Sequence, residues 1–353
     1  NTAVGRSALG SNTTASDNSA FGLFALLSNT TGASNCAFGK DALVNNTTAS
    51  NNTAVGKSAL SQNTTGTQNV SVGAFALDAN TTGDRNIGIG VNALGGNTTA
   101  DNNVAIGDNS LQVSTIGASN VAVGSLALHR NTTASNNTAV GHSSLQENTT
   151  GEKNVAVGSL ALDANTTGGF HVGVGYNALG ANTDGTQNTA IGYNSLKVNT
   201  EGDFNSAVGG GSLDANTTGS SNVAIGQNSL GANTTASNNT AVGRSALAAN
   251  TTGTQNVAVG YNSLDANTTG NFNTSLGSQA GTANTTGTVN TSIGCVALAA
   301  NTSGDFNTAI GGNSLQKNTT ADNNTAVGYY ALRENTTGHS NVAVGTNSLD
   351  ANT

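Results

Sequence analysis

The chain has 353 residues, with 47 Gly, no Pro, Met or Trp, and only 8% charged residues. Its net charge of −8 is small for that length, and the few Lys and Arg are scattered, which leaves no basic footprint for a nucleic-acid partner. No apolar run approaches the ~18 residues of a membrane-spanning helix. A chain that opens in mid-pattern at Asn1 carries no information about a secretory leader.

Weak hydrophobicity and few aromatics are the usual signature of disorder, but a strict period argues for order. The first predicted strand, Thr2 to Val4, ends at Gly5, and the same phrase returns at Gly22, Gly39, Gly56 and every seventeenth residue as far as Gly345. Twenty complete repeats and thirteen residues of another fill the chain without an insertion or deletion. With slots counted from Asn1, slot 5 is always Gly and slot 13 always Thr. Slot 1 is Asn except at His171, slot 12 is Asn except at Ser114, and slot 9 is Leu except at Gly281. Slot 4 holds Val, Ile, Phe or Leu, and slots 3 and 8 only Ala, Ser or Gly, while slots 6, 7, 10, 11 and 16 vary.

Seventeen residues is too short for the helix pairs of helical solenoids, and three-residue β patterns offer no helical stripe. One coil of an all-β solenoid fits. Stacked at the ~4.8 Å strand spacing, twenty-one coils would form one continuous rod over 1–353, ~100 Å long. Like residues then superpose as ladders, for which Asn and Thr are suited. Asn120, Gly124, Leu128, Asn131 and Thr132 represent the expected ladder slots 1, 5, 9, 12 and 13.

Two segments raise a turn question: "NTTASNNTAVG" (131–141) has Ala134 and Asn136 where "NTTGEKNVAVG" (148–158) has Gly151 and Lys153. All six copies with Ala in slot 15 carry Asn or Asp in slot 17, and the fourteen copies with Gly there never do. The expectation is two turns of equal length, with the left-handed residue moved by two places.

The phrases "NVAVG" (120–124) and "NVAIG" (222–226) resemble the head repeat of bacterial trimeric autotransporter adhesins and related phage tail-fibre repeats, and the likeness recurs in every copy. That resemblance implies a left-handed β-roll in which three chains wind side by side, although the repeat here is longer than the family's usual coil. From the residues themselves, slots 2 and 4 are expected inward and slot 3 outward. The restriction of slot 3 to small residues then implies either a second chain packed over it or a flat single-chain coil with a close opposite wall.

No chemistry-bearing constellation emerges. The Gly runs at Gly88, Gly90 and Gly95–Gly96, and at Gly209–Gly211, precede no helix and read as coil corners. The four His occupy different slots in distant copies, and Cys36 and Cys295 lie fifteen coils apart, too far for a disulfide. Cys36 is expected in the core and Cys295 at the surface. The recurrent "NTT" matches a glycosylation pattern, but an Asn bonded along the rod cannot also carry a glycan. The Thr of slot 13 is expected to turn inward, with an outward ice-binding rank as the rival reading. Phe24, Phe204, Phe272, Tyr193 and Tyr261 are the candidate surface contacts, able to stack on a glycan or a host receptor.

The expectation is a non-enzymatic extracellular or cell-surface fibre or adhesin shaft, or a virion fibre. It has no cofactor or metal and self-associates as a homotrimer or as a head-to-tail filament; with no caps visible, either the caps lie in sequence outside this chain or copies dock end to end. An ice- or glycan-binding module is the alternative.

Overall fold

The computed structural model describes residues 1–352. Two compact units divide the chain, Asn1–Val174 and Gly175–Thr353. Each is a parallel β-solenoid with 17 residues per turn, and the described residues contain no helix. The first unit carries three-residue strands β1 (Thr2–Val4) to β11 (Val172–Val174), and the second carries β12 (Thr189–Ile191) to β21 (Val342–Val344).

Within each unit successive strands pair in parallel with a register of one repeat. In the first, Val121, Ala122 and Val123 lie against Thr138, Ala139 and Val140; in the second, Ser206, Ala207 and Val208 lie against Val223, Ala224 and Ile225. Axial bonding continues beyond the strands. The Leu128 N–H donates to the Ser144 carbonyl at 3.0 Å, the Arg130 N–H to Gln146 at 3.0 Å and the Thr132 N–H to Thr149 at 3.2 Å. Other amides point the opposite way, Leu126 to Asp108 at 3.0 Å and Asn136 to Ala118 at 3.1 Å. Strands of only three residues therefore suffice, because the rest of the perimeter also satisfies its backbone groups between coils.

The orientation of the strand differs from the sequence expectation. In almost every copy slot 3 is fully buried, as at Ala122, Ala139 and Ala207, whereas slots 2 and 4 face outward. The interior is too narrow for a branched side chain there, since the Leu of slot 9 and the Ala or Ser of slot 8 fill it from the opposite wall, as Leu128 and Ala127 do. Small size at slot 3 thus reflects the coil's own packing, and the argument for a second chain over that slot falls. Cys36, in slot 2, is correspondingly half-exposed rather than a core residue, with its thiol pKa raised by partial burial; Cys295 is exposed.

The turn expectation holds for the alanine coils, whose slot 17 Asn or Asp is left-handed, and is corrected for the glycine coils, whose slot 15 is not. Slot 17 is left-handed in both kinds of coil, with φ 63° at Asn136 and 60° at Lys153. Gly151 stands in slot 15 for lack of room: a Cβ there would lie 2.2 Å from the Gly168 carbonyl oxygen and 2.6 Å from Asn148 Oδ1. Each of the six alanine coils is followed by a glycine coil, so two Cβ atoms never stack at this slot. Nothing in the structure explains why alanine coils favour Asn or Asp in slot 17. Slots 7 and 9 are left-handed too, including the buried Leu128 at φ 50°. A leucine in that region costs about 1–2 kcal/mol and persists only where the surrounding packing fixes it.

Candidate functional site

Residues of the repeat's interior build the stack rather than a reaction centre. Asn120, fully buried, donates from Nδ2 to the Ala134 carbonyl at 2.9 Å within its own coil. Its Oδ1 accepts the Asn137 N–H of the next coil at 2.9 Å. Asn131, also buried, is one rung of a side-chain ladder: Asn148 Nδ2 donates to Asn131 Oδ1 at 2.9 Å and to the Gly151 carbonyl at 2.9 Å. The nitrogen that N-glycosylation would modify is thus enclosed and already bonded. Full satisfaction is what allows two asparagines per coil inside so thin a core.

At Ser114 the ladder of slot 12 is interrupted, and both Asn97 Oδ1 and Ser114 Oγ are buried without a hydrogen-bond partner. Gly124, at φ 133°, lies so close to the next coil that a Cβ would sit 2.5 Å from the Gly141 oxygen. Thr132 is half-buried, and its hydroxyl donates to the Thr149 carbonyl at 3.1 Å. Slot 13 therefore neither turns fully inward nor offers free hydroxyls to order water.

Outside, two surfaces differ. The strand face presents slots 2 and 4, with no charged residue in any copy. Ile191, Ile225 and Ile310 on this face are 40%, 43% and 37% exposed. Past the Gly corner, slots 6, 7, 10 and 11 carry the variable residues. Opposite charges are stacked there one period apart, as in Arg130–Glu147 at 2.8 Å and Lys317–Glu334. The sequence signal for these pairs was the 17-residue spacing itself.

Of the candidate contact residues, Phe24 belongs to the first unit and Tyr193, Phe204, Tyr261 and Phe272 to the second. Phe24 is half-buried, with the Arg6 guanidinium 5.9 Å from its ring centre. Phe204 and Phe272, both exposed in slot 17, lie four coils apart. Tyr261 stands under the Arg244 guanidinium at 5.9 Å. Tyr193 stacks on Tyr176 with ring centres 5.7 Å apart and borders a notch of about 460 Å³ floored by Gly210 and Gly211.

Among the described residues no group of three His, Cys, Asp or Glu is placed to hold a metal ion, and no helix is long and apolar enough to cross a membrane. The class these features define is a tandem-repeat parallel β-solenoid. No known family model matches the sequence, and no curated protein matches it.

Proposed function

We propose that the chain is a non-enzymatic shaft of an extracellular fibre or adhesin, whose strand faces are covered by further copies of itself in a homotrimer. The observation that carries this reading is the outward ribbon of slots 2 and 4. Val, Ile, Leu or Phe fills slot 4 in all copies although nothing within the coil packs over it. Uncharged aliphatic rows of this length exceed what monomers ordinarily expose.

A second copy is the occupant that fits. An identical solenoid offers, strand after strand at the same axial rise, an apolar side chain in slot 4 beside an uncharged one, mostly Thr, Val or Ser, in slot 2. The likeness of "NVAVG" (120–124) to trimeric autotransporter heads supports three copies, and supports the cell surface as the location. Ice binding is disfavoured because the slot 13 hydroxyls are already donated to backbone carbonyls, as at Thr132.

The test is the solution mass of the purified chain by light scattering, against the 34.5 kDa of one copy. Three times that mass supports the trimer, together with a single-copy mass for the Ile191→Asp, Ile225→Asp, Ile310→Asp variant at unchanged circular dichroism. A single-copy mass for the wild type at all concentrations overturns it.

A further inference from the structure

The geometry points to a saccharide site in the notch over Gly210 and Gly211, in which one pyranose ring lies on the free face of Tyr193. Of all copies, only the thirteenth has Gly in both slots 6 and 7. One side-chain layer is therefore missing from an otherwise continuous column that runs Tyr176, Tyr193, gap, Gln227, Arg244. The gap is open: a Cβ on Gly211 would meet nothing closer than Asp214 Oδ2 at 3.9 Å, and one on Gly210 nothing closer than the Tyr193 carbonyl at 3.9 Å.

Tyr176 covers one face of the Tyr193 ring, with the planes 14° apart. The other face looks axially into the notch, and Tyr193 is 63% exposed. From the Tyr193 layer to the Gln227 layer is two strand spacings, roughly 9–10 Å. A flat aromatic guest at stacking distance, about 3.5–4 Å from Tyr193, would leave a void beyond it. A puckered ring that carries C–H groups on one side and hydroxyls on the other spans the gap.

The walls supply the matching polar groups. Asn194, Gln227 and Asn228 offer amide donors and acceptors, and the half-buried Asp214 carboxylate accepts. Arg244 donates from the far side, its guanidinium held near the Tyr261 ring. Burial raises the Asp214 pKa, as expected for a carboxylate recessed in a pocket wall. The volume lies within the range of small-ligand sites, about 300–1,000 Å³. A comparable hollow over Gly95 and Gly96 is lined by Asp78, Asn92, Gln112 and Val113 but by no aromatic ring, which makes it an internal control.

The full chain would be titrated with glucose, galactose, N-acetylglucosamine and N-acetylneuraminate, followed by saturation-transfer NMR. The Gly210→Gln, Gly211→Asn variant takes the residues of the next copy, Gln227 and Asn228, so it refills the column with side chains the fold already accepts at these slots. Binding of at least one sugar in the millimolar range, weakened about tenfold or more in that variant and in Tyr193→Ser, is the expected result. The site is overturned if no sugar binds at ~10 mM, if the double variant binds within about twofold of wild type, or if adenosine binds better than every sugar. The oligomeric mass of the same samples is read in parallel, so failure of the notch and failure of the shaft reading are separate outcomes.

Discussion

The strand wall and the turn wall of each coil carry the same backbone load but treat their outward side chains differently. On the strand wall, slot 4 stays apolar in every copy, from Val4 to Val344, with Phe only at Phe21 and Phe38. On the turn wall, slot 6 ranges over Arg6, Asp108, His142, Tyr193 and Gly210. Both rows face outward, so the fold of one coil cannot account for the contrast. On the proposed reading, the uniform face is the one a further copy would cover and the variable face the one left to water or a local ligand.

The corner between the two walls is where substitution should cost most. Gly124→Ala forces a Cβ into the Gly141 carbonyl at a φ of 133°, and we expect a loss of roughly 4 kcal/mol, read by denaturation and by hydrogen exchange localised to the neighbouring coils. Leu128→Ala removes the main apolar filler behind the turn wall and should cost about 3 kcal/mol; a loss below about 1 kcal/mol would show that coils collapse around the gap.

In the opposite direction, Ser114→Asn restores the missing rung to Asn97 Oδ1 and should add about 1–2 kcal/mol. Paired surface changes sharpen the contrast directly. Ile225→Asp on the strand wall and Gln227→Asp on the turn wall should each leave the stability of an isolated copy within about 0.5 kcal/mol, yet only the first should lower the solution mass.

The smallest effect concerns Asp163 on the turn wall, whose pKa is raised chiefly by burial. A carboxyl with a folded pKa above its unfolded one favours the fold when protonated and loses that contribution as pH rises through the folded value. Asp163→Asn should therefore gain a few tenths of a kcal/mol at neutral pH, discounted for solvent screening. The gain should vanish below about pH 4, as thermal melts at the two pH values would show.

The coil was legible in the sequence because an unbroken period leaves little choice of architecture. The facing of the strand was not. A Val-Ala-Val triplet alternates whichever side is inside, and bulk suggested the valines. The informative signal was tolerance: slot 2 accepts Thr, Val and Cys alike, as at Thr53, Val70 and Cys36, while slot 3 never exceeds the size of Ser. The slot limited by volume is the interior one. The left-handed slot 17 was legible from its Asn or Asp in the alanine coils but left no trace in the glycine coils, where residues as unlike as Phe204, Lys153 and Val289 adopt it under the constraint of the stack. The notch was missed for another reason: Gly209–Gly211 reads as a coil corner, and the open space over Gly210 and Gly211 comes from side chains they lack rather than from functional groups they carry.

The axial hydrogen bonds described above always join a residue to a neighbour about one repeat away, such as Asn131 to Asn148. Excising or duplicating one whole copy by recombination thus rejoins like partners, while losing a single codon would misalign every rung across the affected junction. For such a gene, unequal crossing-over becomes a tuning device: the number of coils can change from one generation to the next without any new packing having to be invented.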